Sequence, residues 1–274
     1  MIRFQSFKPK STLKEYIKCY WIIDGKNNIK EYKKTILPHV EVCISFLFIE
    51  NKSKSVKEKE FTSAIYITPA KIKNYELKIN GRFYFIDVSL HPGVFYEIFK
   101  ISLSKLEKRS YNINELNIKF DEKVIDKINI NKDEEDKIID ILDDFFSKLC
   151  SKIIDEKIVD DIKKLTLSSN LNKFYNEINL SNRQIQRETK KITGLTPRTI
   201  QRISRFYKIL NNLKTFDDIN YSTLAQKLDF YDQSHLIKEF KYFSGENIKN
   251  FLITSKNYLQ FESEEYCHQI LKKD

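Results

Sequence analysis

Between Tyr16 and Leu90 the apolar residues fall in short runs. Tyr16 to Ile23 is rich in aromatic and β-branched residues, Glu41 to Ile49 (EVCISFLFI) is almost continuously apolar, and Phe61 to Ile67, Tyr75 to Ile79 and Arg82 to Leu90 repeat the pattern. Runs of this length and composition, bounded by polar or proline-containing breaks, predict the strands of a β-sandwich or barrel. Residues 51–60, NKSKSVKEKE, read as a charged connection between two of them. At Val94 the period changes: Phe95, Ile98, Phe99, Ile101 and Leu106 suit a helix laid on that barrel.

Residues 131–149, NKDEEDKIIDILDDFFSKL, have an acidic first turn followed by an apolar stripe of Ile138, Ile141, Leu142, Phe145 and Leu149, widened by Ile139 and Phe146. This is an amphipathic helix. Its stripe suits packing within the domain or a helix–helix contact in a homodimer, and both stay open at this point. From residue 153 onward the pattern is helical. The predicted organisation is therefore an α+β chain of two domains: a β-rich domain over 1–110, a helical linker with a candidate dimerisation helix over 111–154, an all-α domain over 155–256, and a polar tail over 257–274.

The all-α half holds one device twice. Leu171 to Ile178 is a short helix; after it Ser181 is placed to cap a second helix that runs through Ile192 and closes at Gly194. Ser222 to Leu228 is again a short helix, after which Asp232 caps one that runs through Phe243 and closes at Gly245. A shift of 51 residues aligns the two, placing Ser181 on Asp232, Ile185 on Leu236, Arg187 on Lys238 and Thr189 on Phe240. Two short helices joined by a tight turn, the second polar on one face, form a helix-turn-helix. The first helix and the buried anchor make a small core, which leaves the other face of the second helix free to enter a DNA major groove.

Arg183, Gln186, Arg187 and Lys190 share that face in the first copy, and Gln233, Ser234, Ile237 and Lys238 in the second. Arginine pairs with guanine and glutamine with adenine through two hydrogen bonds each. Between the copies, Pro197 opens a helix to about Leu213 with Ile200, Ile203, Tyr207, Leu210 and Leu213 inward and Arg198, Arg202, Arg205 and Lys208 outward. At ~1.5 Å per residue it is a rod of ~25 Å, fit to hold two readers in neighbouring turns of one groove face, ~34 Å apart.

Charge sharpens this picture. The chain of 274 residues carries a formal +10, but residues 181–210 alone hold eight basic side chains against one acidic, while 121–150 hold five against ten. A local excess of this kind is the electrostatic footprint of a polyanion partner. Only five glycines and five prolines occur, and Gly25, Gly81, Gly93, Gly194 and Gly245 are too far apart for a dinucleotide fingerprint or a P-loop. Cys19, Cys43, Cys150 and Cys267 form no CxxC pair, which disfavours zinc ribbons and disulfide scaffolds. No apolar run approaches the ~18 residues of a spanning helix, and Met1 to Gln5 lacks the apolar stretch of a signal peptide. The expectation is a cytoplasmic protein with no membrane partner.

At LSNRQIQRETKKITGLTPRTIQRISRFYKIL (180–210) and YSTLAQKLDFYDQSHLIKEFKYFSG (221–245) the sequence resembles the AraC/XylS family of bacterial transcription regulators, over roughly 160–253. Asp229 stands where that family usually has Gly, Thr189 where an apolar aromatic is usual and Ile248 where Pro is usual. The first departure places a non-glycine residue in a turn that favours positive φ, which Asp tolerates better than most. Over about 1–110, Tyr20-Trp21, Leu37-Pro38 and FIDVSLHPG (85–93) resemble the β-rich, cupin-like sensory domain of one branch of the family.

The resemblance implies a non-enzymatic, sequence-specific regulator that binds double-stranded DNA. An effector, small molecule or protein, would act on its N-terminal domain, and RNA polymerase and a second copy of the chain are further partners. The DNA-contacting residues are then Ser181, Arg183, Gln186, Arg187, Lys190, Arg198, Arg202, Gln233, Ser234, His235 and Lys238, with Lys190, Arg198 and Arg202 at phosphate or supporting the scaffold. Tyr20, Trp21, His39 and Glu41 are the effector candidates. His39 and Glu41 also suggest cupin-type metal ligands, but no HxH accompanies them, and no metal, cofactor or catalytic residue is assigned. The alternatives are a cupin-like metal-dependent enzyme fused to a DNA-binding domain, or an N-terminal domain that only pairs with a protein or a second copy.

Overall fold

The structure, a computed structural model, describes residues 2–50, 61–153, 156–167, 171–178, 180–213, 220–255 and 258. The charged connection 51–60, Cys267 and all of the polar tail except Tyr258 lie outside them.

Six strands make one antiparallel sheet: β1 (Ile2–Phe7), β2 (Ile17–Ile36), β3 (Val42–Glu50), β4 (Phe61–Thr68), β5 (Tyr75–Leu90) and β6 (Tyr111–Asn112), in the order β1-β2-β5-β3-β4-β6. Two strands are longer than the sequence pattern indicates. Residues 24–36 continue β2 beyond its apolar start and pair with Tyr75–Tyr84. Asn80-Gly81, which reads as a break, lies inside a continuous β5, with Gly81 at φ +85° opposite irregular register in β2. A left-handed glycine in a strand bends it without ending it.

Because side chains alternate across a sheet, its two faces bury different things. Tyr20, Ile22, Ile44, Phe46, Phe48, Ile65, Ile67, Ile86 and Val88 point into the larger core. That core is closed by α1 (Val94–Phe99), α2 (Glu122–Ile130) and α3 (Glu135–Cys150). Ile138, Leu142 and Phe146 of α3 are fully buried there, and Phe145, Ile141 and Leu149 pack at its margin. The stripe of this helix is thus turned into its own chain. Asp143 fixes it by accepting the Tyr20 hydroxyl at 2.7 Å and the Lys10 backbone N–H at 3.1 Å. The opposite face carries Cys19, Trp21, Ile23 and Phe85, and with them the polar residues described below.

The second half is all helical: α4 (Glu156–Leu167), α5 (Leu171–Glu177), α6 (Asn182–Thr193), α7 (Pro197–Leu213), α8 (Tyr221–Lys227), α9 (Gln233–Ser244) and α10 (Ile248–Thr254). Its core is built on Ile200, Ile203, Phe206, Ile209 and Leu210 of α7 and also takes in Leu37 and Val40 of the β-rich half. The two halves therefore share a core at this joint. No helix among the described residues is long and apolar enough to cross a membrane.

Candidate nucleic-acid interface and effector cavity

The second helix of each helix-turn-helix begins and ends as its cap residues dictate. At the start of α6, Ser181 Oγ accepts the Gln184 N–H at 3.4 Å and Gln184 Oε1 accepts the Ser181 N–H at 3.0 Å, a reciprocal capping box. Asp232 caps α9 by accepting the His235 N–H at 2.7 Å. Both helices end on a left-handed glycine, Gly194 at φ +77° and Gly245 at φ +85°, whose N–H bonds back to a carbonyl in the last turn. In the turn before α9, Asp229 adopts φ +57°, and Arg205 donates to its carbonyl oxygen at 3.2 Å. A non-glycine residue therefore does hold the left-handed position.

On α6, Ile185, Thr189, Ile192 and Thr193 are buried, and Arg183, Gln186, Arg187 and Lys190 are all exposed. Arg187 Nε donates to the neighbouring Glu188 at 3.1 Å, at the surface, where such a pair contributes little. On α9, Leu236, Phe240 and Phe243 are buried, Gln233, Ser234 and Lys238 are exposed, and Ile237 is half-buried. His235 is exposed, with its ring edge-on to Phe230.

Arg198 on α7 faces solvent, whereas Arg202 is turned inward. Its guanidinium makes two hydrogen bonds to Glu239 of α9, at 2.7 and 3.0 Å, and stacks on Tyr242 and Phe243. It is a joint between α7 and α9.

Both helix ends rest on the β-rich half. A Cβ on Gly194 would meet the Leu103 carbonyl oxygen at 3.3 Å, and the Lys191 carbonyl accepts Ser102 Oγ at 3.3 Å. The carbonyl of Ser244, just before Gly245, accepts Asn74 Nδ2 at 2.5 Å. From α7, the Tyr207 hydroxyl donates to the Pro38 carbonyl at 2.9 Å.

Tyr207 also lines a cavity of about 450 Å³ on the second face of the sheet, with Trp21, His39, Glu41, Asp87 and Arg109 among its walls. Of the effector candidates, Trp21, His39 and Glu41 line it; Tyr20 points through the other face into the main core. Glu41 pairs with Lys18 at 2.5 Å. Burial works to raise the Glu41 carboxyl, but the charges of Lys18 and His39 outweigh it and hold the group at about 2. Burial lowers His39, whose Nδ1 lies 3.0 Å from the Glu41 carbonyl oxygen. Among the described residues no three His, Cys, Asp or Glu side chains converge as a metal site.

Asp87 is the residue the sequence pattern did not single out. It stands on β5 between Trp21 of β2 and Ser45 of β3, and Ser45 is paired in turn with Tyr66 of β4. One row across four strands thus reads aromatic, acid, hydroxyl, aromatic. Burial pushes the Asp87 carboxyl up to about 6, opposed by Ser45, Cys43 and Ser89. The available signal was an acidic residue at an inward position of an apolar strand.

Residues 5–112 match the model of a domain of unknown function, DUF6597. No curated protein matches the chain. Among solved structures it is similar to ToxT from Vibrio cholerae O395, at 13% identity, covering 91% of this chain and 97% of that one, with a TM-score of 0.38. The same protein bound to (E)-4-(8-methylnaphthalen-1-yl)but-3-enoic acid gives 14%, 91% and 98%, and 0.40. Unsaturated fatty acid bound ToxT from V. cholerae strain SCE256 gives 15%, 83% and 96%, and 0.37.

Proposed function

We propose that this chain is a sequence-specific DNA-binding transcriptional regulator of the AraC kind. Its two helix-turn-helix units read adjacent major grooves, and its N-terminal cavity receives a small effector. The observation that carries the reading is the duplicated unit itself: two capped helices, 51 residues apart in sequence, each burying an apolar anchor and presenting a polar, exposed face. A helix held by its back and free along its front is what the major groove accepts. Arg183, Gln186, Arg187, Gln233, Ser234 and Lys238 are the base-edge readers. Ser181, Lys190, Arg198 and His235 lie where phosphate passes, and Arg202 acts through the scaffold. The coupling route is short, because Tyr207 belongs both to the cavity wall and to the helix between the readers.

The test is selection of bound fragments from a genomic library by the full chain, followed by footprinting. The expected result is one family of sites protected on one face over two turns, ~34 Å between centres. Retention of random duplex as well as any selected site, at matched salt, overturns the reading.

A further inference from the structure

The charged groups around the cavity are paired except for two. Lys18 lies against Glu41 at 2.5 Å and Lys78 against Glu76 at 3.0 Å. Asp87 is then a carboxylate on the cavity wall with no cation against it among the described residues, and it is 5% exposed. Its Oδ1 accepts the Ser45 hydroxyl at 2.5 Å; its Oδ2, with the Cys43 thiol and the Ser89 hydroxyl nearby, has no partner at hydrogen-bond geometry. Arg109 is the converse, an exposed guanidinium whose contact is the face of the Tyr75 ring, at 4.5 Å. The floor of the cavity is therefore negative and its exposed margin positive.

Buried carboxylate oxygens are ordinarily hydrogen-bonded, and one that is not points to a missing donor. The groups around Asp87 narrow the kind of donor. Trp21 is its direct neighbour on β2, Tyr66 lies one strand beyond Ser45, and Phe85 is two residues along β5 on the same face. Aromatic faces beside a carboxylate suit an alkylammonium group, which the rings attract through their quadrupoles and the carboxylate holds by a charge-assisted hydrogen bond. A cavity of about 450 Å³ is in the range that encloses a small organic molecule.

We propose that the cavity binds a small apolar molecule bearing a protonated primary amine, with the nitrogen donating to Asp87 Oδ2 and the hydrocarbon part against Trp21, Leu47 and Phe85. This rests on reading the cavity as the effector site. A carboxylate ligand is disfavoured at the floor, where it meets Asp87, and could be held only at Arg109.

Trp21 is the only tryptophan of the chain, so its fluorescence reports the cavity directly. The full chain is titrated with hexylamine and 2-phenylethylamine, and in parallel with heptanoate and 3-phenylpropionate, which keep the hydrocarbon and reverse the charge. Thermal unfolding is followed with the same additions. The expected result is that at least one amine shifts Trp21 emission, raises the melting temperature and binds at least about tenfold more tightly than its carboxylate partner. Asp87→Asn, which keeps the size of the side chain and an acceptor for Ser45, weakens amine binding about tenfold or more, and Arg109→Gln leaves it within about threefold.

Failure of both amines to bind below about 1 mM, tighter binding of the carboxylates, or unchanged amine affinity in Asp87→Asn each overturns the proposal. The amine-to-carboxylate preference is read on the unaltered chain, so the proposal remains testable if the variant does not fold. DNA selection by the ligand-free chain is a separate measurement, so loss of amine binding and loss of DNA recognition are distinguished.

Discussion

In the first helix-turn-helix the buried position midway along α6 is Thr189; in the second, 51 residues on, it is Phe240. The neighbouring positions differ as well. Glu188 lies near the surface beside Arg187 and Lys191, whereas its counterpart Glu239 is buried against Arg202. Phe240 sits in a cluster with Phe206 and Phe251, at ring distances of 5.4 and 5.2 Å, which fastens α9 to α7 and α10. Among the described residues the first unit has no such ring cluster around Thr189, but it exposes Arg183, Arg187, Lys190 and Lys191, where the cations exposed on α9 are Lys238 and Lys241. One frame has thus been filled in two ways: the second copy is weighted toward anchoring, the first toward cationic surface. The difference is one of side chains, since each helix starts at a side-chain oxygen cap and ends on a left-handed glycine.

The largest effect should come from the anchor. Phe240→Ala removes a fully buried ring and is expected to cost ~3–5 kcal/mol of stability. Thr189→Ala, at the matching position, removes only a hydroxyl and a methyl and should cost under ~1 kcal/mol. Chemical denaturation followed by helical circular dichroism measures both. Losses of similar size would mean that the two units are anchored equally, and the contrast would be gone.

These units were legible in the sequence because their determinants are local. Ser181 and Gln184, Asp232 and His235, and each helix with its closing glycine are separated by one to four turns, so cap chemistry and spacing reveal them without a fold. Even the positive φ of Asp229 follows from its place in the turn. The cavity is different. Trp21, Ser45, Tyr66 and Asp87 come from four strands, and only the register of a sheet with order β2-β5-β3-β4 sets them in one row. Tyr20 and Trp21 look equivalent in sequence, yet alternation sends one to each face. The extension of β2 through residues 24–36 was hidden for the same reason. Its polar composition reads as loop, and what makes it a strand is the partner Tyr75–Tyr84, distant in sequence.

The second prediction concerns the cationic surface. Arg187→Ala should weaken binding to a selected site by ~1–3 kcal/mol and relax preference at one base position, as loss of a two-bonded guanine reader does. Lys238→Ala, at the corresponding place on α9, should cost less than Arg187→Ala and relax preference at its base position less, because an ammonium reads a base edge less directionally than a two-bonded guanidinium. Fluorescence anisotropy against the selected site and single-base variants, at fixed salt, gives both numbers. An unchanged affinity for Arg187→Ala removes it from the interface, and a larger loss for Lys238→Ala reverses the roles given to the two helices.

The smallest effect separates the caps themselves. Ser181 is neutral and shares its cap with Gln184, while Asp232 holds a single N–H with a carboxylate. A negative charge at a helix N-terminus stabilises the helix by ~0.3–1 kcal/mol, but at a DNA-facing end it also repels phosphate. Asp232→Asn keeps an acceptor for the His235 N–H and removes the charge. It should therefore lower stability by a few tenths of a kcal/mol while tightening non-specific binding to duplex DNA at low salt, a gain that fades as screening increases. Ser181→Asp, the converse exchange, should loosen non-specific binding at low salt. Melting temperature and anisotropy at two salt concentrations read both effects. Opposite signs for fold and for DNA in Asp232→Asn place the start of α9 against phosphate; a variant that loses stability and leaves DNA affinity untouched at every salt places that end of the second unit away from the duplex.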